Sequence, residues 1–165
     1  MAQASADLLK ALDGAMEAER KARAFYLDAS KKTSSERGRD LLRQLAAFEQ
    51  THFDRLSELK ESLTGEGRYI LYEGTDLSSI TSEVPAETDQ GKEENLENVL
   101  GILQVAIDAE TEAAARYKKL AEETEDAAGR EMFVRFAEEE TNHRRILTDE
   151  YYHLTNKGGI WQWGD

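Results

Sequence analysis

The chain has 165 residues, no cysteine, one proline and a formal charge of −13, with 39% hydrophobic and 33% charged residues. That length suits a single domain, and the missing thiols exclude disulfide frameworks, zinc fingers, iron–sulfur clusters and thiolate catalysis. Strong acidity argues against nucleic acid as a partner, because neutralising phosphates takes a basic face. The apolar runs are too short to span a bilayer, and Met1-Ala2-Gln3-Ala4-Ser5 lacks the basic-then-apolar pattern of a signal peptide. The expected setting is therefore cytoplasmic, with no membrane partner.

Four segments carry apolar residues at helical spacing, are rich in Ala, Leu, Glu, Lys and Arg, and contain no proline: 6–31, 35–62, 93–123 and 126–155. After the first, Thr33 followed three residues later by Glu36 reads as a capping box that opens the second helix. Residues 63–92 then hold Pro85, several glycines and many Ser, Thr, Asp and Glu, which predicts a crossover spanning the length of a bundle. Within it, Tyr69-Ile70-Leu71-Tyr72 is apolar enough to pack against helices or a second subunit. Thr124-Glu125-Asp126 supplies N-cap chemistry between the last two helices. The tail, 156–165, carries Trp161 and Trp163, expected to cover a hydrophobic edge. Short connections within each pair make two antiparallel hairpins, so the expected fold is all-α, a four-helix bundle over 1–155 followed by the tail. Apolar surface at Tyr69–Tyr72 and Ile160–Trp163 beyond the needs of such a core predicts a homodimer.

Sliding the sequence on itself by 91 residues aligns the hairpins without a gap, pairing Leu9 with Leu100, Leu12 with Leu103, Gly38 with Gly129 and Arg39 with Arg130. The same offset places Glu19 on Glu110, Tyr26 on Tyr117, Glu49 on Glu140 and His52 on His143. In a helix Glu49 and His52 lie one turn apart on one face, as do Glu140 and His143, so carboxylate and imidazole can converge on one ion. Glu19 and Glu49 are equidistant from the first predicted turn, and Glu110 and Glu140 from the second, which puts each pair at equal height, roughly 22 Å along its hairpin.

The faces bearing these groups are otherwise apolar: Leu12 and Met16, Leu45, Phe48 and Leu56, Leu103 and Ile107, Phe133, Phe136 and Leu147. Four carboxylates aimed into such an interior need a counter-charge, and no Lys or Arg shares their stripes. Two divalent cations cancel four glutamates and leave both imidazoles neutral as ligands. Oxygen and nitrogen donors without sulfur favour iron or manganese, accommodate zinc and disfavour copper(I). Tyr26 and Tyr117 are balanced between core packing and hydrogen bonding to a ligand carboxylate. His153, ten residues after His143, falls on another face, expected to be surface.

The paired Glu-x-x-His motifs, each thirty residues after a glutamate that precedes a tyrosine by seven, resemble the ferritin-like di-iron carboxylate family and within it the rubrerythrin-related proteins. The likeness covers residues 6–155 and implies a ferritin-like bundle with two iron ions. It further implies that Glu49 and Glu140 bridge them, with Glu19 and His52 completing one ion and Glu110 and His143 the other. Glu49, Glu140, Tyr26 and Tyr117 are then the candidate catalytic residues. Two features depart from the family pattern. The chain has no four-cysteine rubredoxin domain, and Ala113, whose repeat mate is Ala22, stands where rubrerythrins carry an extra glutamate; Glu112 points about 100° away. In that respect the symmetric site is closer to those of bacterioferritins.

The leading expectation is a rubrerythrin-like oxidoreductase that passes two electrons to hydrogen peroxide or dioxygen, fed by an external donor such as a rubredoxin-like protein. Alanines at 22 and 113 would leave room for a small oxidant. One alternative is a ferroxidase or iron-handling protein, and another an interaction module whose metal is structural.

Overall fold

The computed structural model describes residues 5–74 and 92–163, and the middle of the expected crossover, with Pro85, lies outside them. Four helices follow in order: α1 (Ala6–Lys32), α2 (Glu36–Gly65), α3 (Leu96–Glu123) and α4 (Ala127–Asn156). At about 1.5 Å per residue each is roughly 40–45 Å long. α1 packs along α2 and α3 along α4, and the two hairpins meet more loosely, α1 against α3. No strand forms among the described residues, where Lys92 and Ile160 make one isolated antiparallel bridge.

The repeat survives in the turns. Ser35 and Asp126, 91 residues apart, are the N-caps of α2 and α4, accepting from the amides of Gly38 at 3.3 Å and Gly129 at 2.9 Å. Thr33 is therefore not the cap. Its hydroxyl donates instead to Ala29 O at 2.8 Å, as that of Thr124 donates to Leu120 O at 2.6 Å. A threonine that satisfies a carbonyl of the preceding turn has no oxygen directed at the next helix. Arg39 and Arg130 then donate to the carbonyls of Thr33 and Thr124, bracing both turns alike.

α3 starts at Leu96, three residues later than the periodicity predicts, because Glu93 is engaged elsewhere. Its amide donates to Gly159 O, and its carboxylate accepts from the amide and hydroxyl of Ser34, the amides of Ser35 and Asn95, and the indole of Trp161. α2 runs to Gly65, where the amides of Glu66 and Gly67 both return to Ser62 O, with Gly67 at φ 71°. Its repeat mate Gly158 has φ 69° after α4. Both tails then fold back over the opposite hairpin's turn. Trp161 lies on Gly38, and Tyr69 lies on Gly129; a Cβ on either glycine would come within 2.5 Å of the ring.

Much of the apolar surface outside the helices is thus consumed within the chain: Tyr72, Trp161 and Trp163 are buried, whereas Leu71 and Ile160 stay exposed. The link leaves α2 at the end where α4 begins, and Tyr72 reaches Glu139 in the middle of α4. The core falls into two apolar layers. One gathers Leu41, Leu45, Phe48, Leu103, Leu147 and Trp161, the other Leu12, Leu56, Leu59, Met132, Phe133 and Phe136. Replacing Gly38 by Ala should cost about 1–3 kcal/mol of stability and red-shift the tryptophan emission. In Gly14→Ala, where a Cβ meets nothing within 4 Å, stability should rise by about 0.4–1 kcal/mol. Urea unfolding followed by fluorescence checks both.

Candidate metal centre

Between the two apolar layers the four helices bring Glu19, Glu49, His52, Glu110, Glu140 and His143 together, every one at most 3% exposed. α1 contributes Glu19, α2 Glu49 and His52, α3 Glu110, and α4 Glu140 and His143. Two overlapping groups result, Glu19–Glu49–His52–Glu140 and Glu49–Glu110–Glu140–His143, with ligand atoms in each group all within 4.8 Å of one another. Glu49 and Glu140 are common to both.

His52 Nδ1 lies 2.6 Å from Glu140 Oε1, 3.5 Å from Glu19 Oε1 and 3.8 Å from Glu49 Oε2. His143 Nδ1 lies 3.2 Å from Glu49 Oε1 and 3.6 Å from Glu110 Oε1. Several of these atoms are buried without a hydrogen bond: Glu19 Oε2, Glu110 Oε2, Glu140 Oε1 and His52 Nδ1. Orphaned acceptors that face one shared space are costly unless a cation satisfies them, so the donor set fits a pair of metal ions.

The tyrosines cross between the hairpins. Tyr26 of α1 donates to Glu110 Oε1 of α3 at 2.5 Å, and Tyr117 of α3 donates to Glu19 Oε1 of α1. Burial, then the neighbouring carboxylates, raises both phenols well above their ordinary range, so they keep their protons and remain donors.

Desolvation, reinforced by the surrounding glutamates, holds Glu49 and Glu140 well above the usual carboxylate range. Burial pushes Glu19 and Glu110 the same way. The neighbouring Glu49, His52 and Tyr117 outweigh it for Glu19, and Glu140, His143 and Tyr26 for Glu110, and both end below their ordinary value. Burial lowers His52, but Glu140, Glu139 and Glu19 overcome it and carry the imidazole well above its usual range. Without metal, these surroundings thus favour bound protons on Glu49, Glu140 and His52.

Two partners of the cluster escape the sequence pattern. Glu139 sits inside the run Glu138-Glu139-Glu140 and reads as a solvated helix face, yet it is 3% exposed and meets His52 Nε2 at 2.6 Å. Tyr72, read as packing surface, donates to Glu139. The one available signal was a break in the repeat, since 91 residues before Glu139 stands Phe48. His153 is half-buried and distant from the cluster in register.

Beside the carboxylates, between α1 and α3, lies a cavity of about 350 Å³ lined by Ala18, Ala22, Ala106, Ala109 and Ala113, with Lys21, Glu112 and Arg116 also along its walls. Ala22 and Ala113 do face the cluster, and Glu112 reaches the cavity from an exposed position.

Residues 101–158 match the rubrerythrin family model, a segment that holds Glu110, Glu140 and His143, consistent with a ferritin-like di-iron protein. In fold, the chain is similar to a hypothetical protein from Pyrococcus furiosus, with a TM-score of 0.71, 25% identity and 91% of each chain covered. No curated protein matches the chain. Among the described residues no helix is long and apolar enough to cross a membrane.

The proton-filled cluster sets a pH dependence. Glu49, Glu140 and His52 bind protons more readily folded than unfolded, so the stability they confer is complete below their unfolded values and is lost as pH rises. Glu19 and Glu110 act oppositely, but only in acid. The metal-free melting temperature should fall as pH rises above about 6.5, and saturating metal should flatten that fall. Calorimetric titration in buffers of different ionisation enthalpy should end at about two ions per chain with net proton release. Proton uptake, or an apo stability that climbs as pH rises above about 6.5, would contradict the assignment.

Proposed function

We propose that this chain is a rubrerythrin-like di-iron oxidoreductase that reduces hydrogen peroxide, or dioxygen, by two electrons at a four-glutamate, two-histidine centre. The observation that carries the reading is the pair of ligand sets sharing Glu49 and Glu140 beside an alanine-lined cavity. Glu19 and His52 would complete one ion, Glu110 and His143 the other. When bound, two ferrous ions would supply one electron each and Lewis acidity toward a peroxide oxygen.

The chain's own residues provide the setting for that chemistry. Tyr26 and Tyr117 hold Glu110 and Glu19 from the opposite hairpin, so neither carboxylate swings away when its charge changes. Phe48 and Phe136 pack on His143 and His52 at 4.9 and 4.6 Å between ring centres and exclude water behind the imidazoles. Ala22 and Ala113 leave the opposite side free for a small oxidant. Peroxide takes up two electrons and two protons and departs as two waters, which matches the two electrons a bound ferrous pair would supply. These 165 residues include no cysteine to ligate an iron centre of the rubredoxin kind, and an external donor such as a rubredoxin-like protein would supply the electrons.

Anaerobic iron loading followed by stopped-flow mixing tests this. Oxidation by peroxide should outrun oxidation by an equal concentration of dioxygen. Ala113→Leu, which fills the cavity beside the carboxylates without replacing a proposed ligand, should slow it about tenfold or more, a barrier change of about 1.4 kcal/mol. Dioxygen reacting at least as fast as peroxide would favour the ferroxidase reading instead.

A further inference from the structure

The cluster obeys the 91-residue repeat except in what stands behind the two imidazoles. His52 turns Nδ1 toward Glu19, Glu49 and Glu140, and its Nε2 meets Glu139 Oε2 at 2.6 Å. Glu139 is in turn held by the Tyr72 hydroxyl, at 2.8 Å from Oε1 and 2.7 Å from Oε2, and both residues are buried. Neither is repeated. Phe48 stands at the position equivalent to Glu139, and Trp163 at that equivalent to Tyr72, its indole donating to Arg37 O. His143 also turns Nδ1 inward, toward Glu49 and Glu110, but its buried Nε2 has no hydrogen-bond partner among the described residues. The Phe48 ring packs edge-on against it.

A carboxylate that accepts Nε2–H fixes the tautomer that leaves Nδ1 bare, and it pins the ring in the orientation a metal needs. Tyr72 fixes that carboxylate in turn, through a hydroxyl shared by both oxygens. Among the described residues His143 has no such restraint, because a phenyl ring cannot accept in its plane. We propose that Glu139, braced by Tyr72, is a positioning residue that makes the two metal positions unequal: the ion on Glu19 and His52 binds first and more tightly, and the ion on Glu110 and His143 second. This rests on the reading that the six-residue cluster holds two ions.

Cobalt(II) titration of the full chain, followed by visible absorbance and native mass spectrometry, tests it without any turnover. The wild type should load in two resolved steps. Glu139→Gln should weaken the first step by about 10–100-fold, bringing it onto an unchanged second, and Tyr72→Phe should shift it less in the same direction. His143→Ala should retain the tight step and His52→Ala should abolish it. That second pair decides the matter should Glu139→Gln lose its helical circular dichroism. Two equal steps in the wild type, an unmoved first step in a folded Glu139→Gln, or loss of the tight step in His143→Ala overturns the inequality while leaving the two-ion reading intact. A chain that takes up no cobalt overturns both.

Discussion

Four buried carboxylates and two buried imidazoles confined to one layer of the bundle are the constraint on which the rest of the structure depends. Left as anions they would repel one another and forfeit hydration worth several kcal/mol each. In the metal-free chain burial favours the neutral form of Glu49 and Glu140, which reduces the charge, while the Tyr117 and Tyr26 hydroxyls donate to Glu19 and Glu110. Such a layer can persist only if its surroundings are rigid. The two apolar layers above and below supply that rigidity, with Leu41, Leu42 and Leu45 on one side and Leu56, Leu59 and Phe133 on the other, all fully buried. Stability is thus built at the ends so that an unfavourable middle can be held.

Repetition makes this layer geometrically closed. Because the hairpins are related by a common offset, each supplies one lone glutamate and one Glu-x-x-His, and neither hairpin alone can complete a ligand set. The tyrosine cross-bonds follow the same logic, α1 bracing α3 and α3 bracing α1. The tails extend it, since Tyr69 closes the turn of the second hairpin and Trp161 that of the first, each lying where only a glycine leaves space. Association of the hairpins and assembly of the cluster are therefore one event.

How much of this was legible in the sequence depends on the range of the contact. Helices, turns and the six-residue cluster follow from periodicity and a fixed offset, which are local or repeated signals. The cap of α2 lies two positions beyond the one the sequence suggests, because Thr33 and Ser35 offer the same oxygen chemistry and only the bond from Thr33 to Ala29 O separates them. The late start of α3 depends on Glu93 meeting Ser34 and Trp161, partners 59 and 68 residues away. Glu139 was hidden for a related reason. A glutamate between two others looks solvated until a tyrosine 67 residues earlier is known to cover it.

The two sides of the cluster are built differently. On the α1–α3 side both halves present small residues, Ala18, Ala22, Ala109 and Ala113, and the cavity ends on carboxylate edges. On the opposite side the imidazoles are backed by Phe48 and Phe136, and α4 adds Glu139, held by Tyr72 from the segment after α2, behind His52 alone among the described residues. An incoming molecule therefore meets a nearly two-fold face, while the groups that tune the imidazoles are unlike. The repeat accounts for the matching ligands, because each half must complete the other. It places no such demand on the residues behind them, where a change from Phe to Glu in one half alters one imidazole and leaves the other's packing untouched.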